Sequence, residues 1–139
     1  MRLVPFKAEH LAAIRREGSE SDWVTVGQAK HLEGVGAFTG LADGEVVFCA
    51  GVVELWKGRF LAWSYIGERA PRYWKSIHKT VKVFLQELPA RRVELHVRAG
   101  FYGGRRWAER LGFEVECERL RAFFPDGSDA VAYVMVKGD

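Results

Sequence analysis

Cysteine is scarce: Cys49 and Cys117 are the only two in the chain. Both stand in strand-like runs, and neither has a second cysteine at metal-ligand spacing, so the pattern excludes a disulfide framework and a zinc site. Long apolar runs are missing as well. The longest, "VVFCAGVVEL" from Val46 to Leu55, is interrupted by Glu54 and falls far short of the ~20 residues that a membrane helix needs. The opening "MRLVPFKAEH" lacks the apolar stretch of a signal peptide. Charge of one sign does not accumulate either, because 21 basic against 18 acidic residues leave a net charge of only +3. That excess is too small to announce nucleic-acid binding. These absences predict a soluble, intracellular protein with no membrane, metal or nucleic-acid partner.

A hydrophobic content of 48% over 139 residues is enough for a sizeable core, and the length suits one domain spanning 1–139. "RLVPF" reads as a short strand. Lys7 to Glu17 carries Ala8, Leu11 and Ile14 at helical spacing and meets Gly18 as a helix-ending glycine. Ser19 or Ser21 caps a second helical segment running to about Leu32, although Val24, Thr25, Val26 and Gly27 have low helix propensity.

From Val35 to Ile66 the period changes to that of a three-stranded meander, with turns at Ala42–Gly44 and at Lys57 and Gly58. Tyr73 to Leu88 then places Trp74, Ile77, Val81, Phe84, Leu85 and Leu88 on one helical stripe, opposite Lys75, His78, Lys79 and Lys82. Pro89 stops that helix. "RRVELHV" alternates as a strand, and a last helix is expected to bury Trp107 and Leu111 before Gly112 turns the chain into a strand from Phe113 to Phe124. "PDGSD" then closes a terminal hairpin with Ala130 to Lys137. The fold class is therefore mixed α/β, α+β in the sense of a mixed sheet.

This order of elements, with "WAERLGFE" following a strand near the carboxyl end, resembles the GCN5-related N-acetyltransferase (GNAT) superfamily over essentially the whole chain. The resemblance implies a single acyl-CoA N-acyltransferase domain with a splayed central sheet. Acetyl-CoA would lie where the fourth and fifth strands part, its pyrophosphate on backbone amides at the start of the following helix. Tyr65, Ile66, Arg69, Arg72 and Lys75 match that cofactor-binding stretch.

The residues depart from the family pattern at two places. Members usually carry a glycine-rich Q/R-x-x-G-x-G/A loop, since amides cradle phosphate only where no Cβ blocks the approach. Here the stretch is "ERAPRYWKS", with Arg72 and Trp74 near the small positions and Pro71 lacking an amide donor. The family's frequent tyrosine acid, four residues before the glycine of "LGF", is Ala108, and its frequent asparagine is Phe101. A divergent bacteriophage branch is similar in its bulky loop, its tryptophan-bearing last helix and the ending "RAFFPDGSDAVAY". That resemblance implies bacterial cytoplasm, or virion association if the chain is phage-encoded.

Acetyl transfer needs a base, and His96, Glu54 and Glu94 have the right chemistry, with Tyr102 as a substitute acid and Glu68 a further carboxylate. Each has a structural alternative as a strand or loop residue facing water. The lysine stripe of the long helix equally reads as a solvated face, and the aromatics Trp56, Trp63, Tyr65, Tyr73 and Trp74 as either core filling or a ligand wall. The balance favours a GNAT-fold protein with weak or absent acetyl-CoA binding and a role in binding a protein partner or a small amine. The alternative is an active N-acetyltransferase. Homodimer formation is a further expectation, from the aromatic and β-branched residues near strand ends.

Overall fold

The computed structural model describes residues 1–14, 29–34 and 36–138. Seven strands form one mixed sheet in the order β1-β2-β3-β4-β5-β7-β6, with β1 Arg2–Pro5, β2 Ala37–Ala42, β3 Glu45–Trp56, β4 Arg59–Ile66, β5 Arg92–Arg98, β6 Glu114–Leu120 and β7 Ala130–Val136. Three α-helices stand among the described residues: α1 Ala8–Ile14, α2 Trp74–Glu87 and α3 Tyr102–Arg110. The chain divides into two compact units, one built from Met1–Val53 and Trp63–Glu87, the other from Glu54–Ala62 and Leu88–Asp139.

In the first unit, β1 and β3 both run antiparallel to β2. The β2–β3 connection is a two-residue turn in which Asp43 (φ 53°) and Gly44 (φ 76°) both adopt the left-handed conformation required by a twist-matched hairpin. Helix α1 buries Ala8, Leu11 and Ile14, and its first amide, that of Ala8, donates to the Glu33 carboxylate at 2.6 Å. These side chains pack with Phe6, Ala29, Ala37 and Cys49, and the partly buried Trp63 and Tyr65 lie against them. The Phe6 and Trp63 rings meet edge to face at 5.0 Å. Helix α2 buries Ile77, Val81 and Leu85, one residue per turn, and Phe84 meets Phe38 of β2 at 5.2 Å. Its Lys75, Lys79 and Lys82 are exposed, whereas His78 is half-buried.

In the second unit β5 runs parallel to β4 over Arg59–Leu61 and Arg92–Glu94, and β7 lies antiparallel between β5 and β6. Phe60, Val93, Val97, Ala130, Val131, Tyr133 and Val134 are its buried strand residues. Helix α3 ends in a complete Schellman motif, with Phe113 N–H bonded to the Ala108 carbonyl and Gly112 N–H to that of Glu109, both at 3.0 Å. Gly112 sits at φ 104°, as expected for a glycine that reverses the chain.

One strand end and one buried side chain differ from the sequence reading. The strand expected to reach Phe124 ends at Leu120, because Ala122 takes φ 50° and its amide is capped by the Asp129 carboxylate at 2.9 Å. The side chains that α3 and its end bury are Ala108 and Leu111, while Trp107 is only half-buried. The helix expected over Lys7 to Glu17 is seen as Ala8–Ile14, and its last residues with Gly18 lie outside the described residues. Of the second helical segment, Ser19, Ser21 and Val24 to Gly27 also lie outside them, and its end is a 3-10 turn, Lys30–Leu32.

Candidate functional site

The stretch expected to bind the cofactor runs from the end of β4 into α2, all within the first unit. Tyr65 and Ile66 close β4 half-buried, and Gly67 follows with its amide on the Val47 carbonyl at 2.9 Å. A Cβ on Gly67 would lie 2.8 Å from that same oxygen, so a glycine is required there for packing against β3.

The next residues, Ala70–Tyr73, form a 3-10 turn that leads directly into α2. Its tight hydrogen bonds engage the donors that a pyrophosphate would need. The Ala70 amide donates to the Gly67 carbonyl and the Arg72 amide to that of Arg69, both at 3.2 Å, while the Trp74 amide donates to Pro71. Pro71 itself has no amide. Arg69 is committed as well: its guanidinium holds the Glu45 carboxylate at 2.6 Å and that of Asp43 at 3.4 Å, tying the turn to the β2–β3 hairpin. Only Arg72 and Lys75 of the expected set are exposed, and among the described residues neither has an ion pair. Of the backbone donors in this stretch, those of Ala70, Arg72 and Trp74 are engaged within the chain and Pro71 has none, so these four positions do not fit the amide cradle of a helix N-terminus site, and Arg72 and Lys75 are the exposed side-chain cations beside them.

Of the catalytic candidates, Glu54, Glu94, His96 and Tyr102 lie in the second unit and the further carboxylate Glu68 in the first, and the four of the second unit are not brought together into an acid–base pair. Glu94 is gripped by Arg59, through Nε and through Nη2 at 2.9 Å, and by Arg92 Nε at 3.2 Å. The Arg59 hydrogen bond, opposed by partial burial and reinforced by Arg92, holds its pKa down at about 2. A carboxylate so stabilised takes up a proton poorly at neutral pH. Arg92 extends the network to Glu116, which is lowered in turn. His96 is half-buried, and its ring stacks at 4.7 Å on Phe123 from the β6–β7 loop. Burial lowers its pKa, with the Glu94 charge opposing. Neighbouring Arg98 is held by Asp126 at 2.6 Å.

Glu54 is exposed on β3. Tyr102, the first residue of α3, is 67% exposed and has the Arg105 guanidinium 5.6 Å from its ring centre. Ala108, where the family tyrosine would stand, is buried, and Phe101 precedes α3 largely exposed. The aromatic cluster divides: Trp63 and Tyr65 belong to the core of the first unit, whereas Trp56 ends β3 with Arg59 against it. Among the described residues no group of three or more His, Cys, Asp or Glu could hold a metal ion, and no helix is long and apolar enough to cross a membrane.

No protein-family model and no curated protein matches the chain. Solved structures do. Ard1 from Thermoplasma volcanium aligns with a TM-score of 0.79 at 15% identity, covering 99% of this chain and 98% of that one. The ribosomal-protein-S18-alanine N-acetyltransferase from Escherichia coli aligns with a TM-score of 0.77, also at 15% identity, over 99% and 94%. This is the GNAT acyltransferase fold. The aminoglycoside acetyltransferase AAC(6′)-Ib, solved in complex with coenzyme A, shares it with a TM-score of 0.65 and 15% identity over 97% and 94%. At such identities the likeness is one of fold.

The sequence "ERAPRYWKS" shows bulky and charged residues around one proline, but not the 3-10 turn that they form. The Arg69 ion pairs depend on the β2–β3 turn, 24 residues earlier in sequence for Glu45, and no local pattern announces them.

Proposed function

We propose that this protein is a GNAT-fold binding protein with an impaired acetyl-CoA site, taking a protein partner or a small amine without turning it over. The observation that carries this reading is the 3-10 turn Ala70–Tyr73, whose amides bond back to the chain where the fold would offer them to a pyrophosphate. The engagement of Glu94 by two guanidinium groups and the stacking of His96 under Phe123 support it, since these two of the candidate bases are held in structural contacts. The phage-branch resemblance extends the proposal to virion association.

The competing reading is an active N-acetyltransferase moving acetyl from acetyl-CoA to an amine. It draws support from the fold neighbours, which are named as acetyltransferases. Thiol detection separates the two. Incubation with millimolar acetyl-CoA and a panel of a polyamine, an aminoglycoside, a lysine peptide and a peptide with a free amino terminus should release thiol no faster than the protein-free control. Amine-dependent release above that control would establish the enzyme.

A further inference from the structure

A pocket of about 370 Å³ lies at the β3–β4 turn, lined by Trp56, Lys57, Gly58, Arg59, Arg91 and Arg92, all in the second unit. No residue of the Gly67–Lys75 segment contributes to it. Its volume is at the small end of those that hold small molecules. The pocket is built on fixed backbone, because the Arg91 and Arg92 amides both donate to the Gly58 carbonyl, at 2.8 and 3.0 Å. Gly58 takes φ 87°, so the turn depends on this glycine.

The charges divide into two pairs. Arg59 and Arg92 are neutralised by Glu94 and Glu116. Lys57 and Arg91 are exposed, and among the described residues neither has an ion pair. The aromatic wall is unusual too: Trp56 is 63% exposed, and the Arg59 guanidinium lies 4.3 Å from its ring centre. A cross-strand Trp–Arg contact stabilises a hairpin end by itself. It gives no reason for two unpaired cations beside a largely exposed indole.

We propose that this pocket binds a free nucleotide, with the base stacked on Trp56 and the phosphate held by Lys57 and Arg91. An indole face accepts any base, and guanidinium and ammonium groups are the side chains that bind phosphate. Arg59, fixed between Glu94 and the indole, positions the ring. A nucleic-acid strand would need a track of successive aromatics and cations. One exposed indole and two unpaired cations suit a single nucleotide, as does a net charge of only +3.

The test is a titration of the ¹⁵N-labelled full chain with dTMP, which carries neither the adenine nor the pantetheine of coenzyme A and so reports independently of the acetyl-CoA question. The chain has five tryptophans. The Trp56 indole N–H, assigned through sequential backbone resonances, should shift saturably at millimolar dTMP. Thymidine and inorganic phosphate alone should shift it at least ~10 times less at equal concentration. Lys57→Gln and Arg91→Gln, both exposed surface changes, should each weaken binding about threefold to fivefold without moving the Tm. An unmoved Trp56 signal, or shifts indifferent to both substitutions, would overturn the proposal. A thymidine octanucleotide binding ~100 times more tightly than dTMP would also overturn it, in favour of a strand.

Discussion

At the scale of single residues, Gly112 shows how a local rule becomes a structural fact. Its φ of 104° and the paired hydrogen bonds of the Schellman motif turn α3 into β6 within three residues. An added Cβ would meet only Met135 Cε, at 3.5 Å, so space is available and the strain of substitution is confined to the backbone. Gly112→Val should cost on the order of 1–2 kcal/mol or more. A urea denaturation midpoint unchanged by the substitution would contradict the cap. This residue was readable because "RLGFE" couples a helical stripe to a glycine and then to an apolar strand residue. The pairing of Glu94 was not readable: alternation along "RRVELHV" gave the strand but nothing of its neighbours, and Arg59 lies 35 residues away in sequence. The pairing has a pH signature. Because the folded-state pKa of Glu94 is depressed to about 2, its stabilisation is present above the ordinary carboxylate range and is lost as pH falls from about 5 towards 2. Glu94→Gln should flatten the acid limb of stability against pH over that window. An acid limb that keeps its slope in the variant would show that other groups carry it.

At the scale of elements, two-residue turns, the long amphipathic α2 and the terminal β6–β7 hairpin were all legible, since each rests on local period and turn chemistry. The end of β6 was not. "ERLRAFF" continues the apolar and β-favouring pattern, yet Ala122 turns left-handed because Asp129, on the far side of the turn, caps its amide and also holds Arg119 at 2.7 Å. The residues freed from the strand acquire a different task, and Phe123 stacks on His96 while Phe124 lies beneath the Arg98 guanidinium. This loop helps to keep His96 from water. The depressed folded-state pKa of His96 means that folding is disfavoured as pH falls below the ordinary histidine value, where the unfolded chain takes up the proton more readily. Phe123→Ala should raise the His96 pKa towards the ordinary histidine value, followed through its ring-proton shifts by NMR. A titration identical to that of the parent would show that Phe123 does not shield the ring.

At the scale of the whole molecule, the order of strands and helices together with the "LGF" reversal carried the resemblance to the GNAT superfamily, and the seven-stranded mixed sheet has that fold. The insertion of β7 between β5 and β6 required long-range pairing, which periodicity does not encode. The donor stretch lies between these cases: lost glycines were visible in sequence, whereas the 3-10 turn and the Arg69 ion pairs emerge only with the fold. Ligand-dependent unfolding tests directly whether this GNAT fold lacks an amide cradle for acetyl-CoA. A ligand at ~100 times its dissociation constant stabilises a folded protein by about 2.7 kcal/mol, a rise of several degrees in Tm for a chain of 139 residues. The account predicts no rise with millimolar acetyl-CoA at 150 mM salt, and at low salt at most a small one, resting on Arg72 and Lys75 and abolished when salt is added. A rise of several degrees that survives 0.5 M salt, with micromolar affinity by calorimetry, would contradict it.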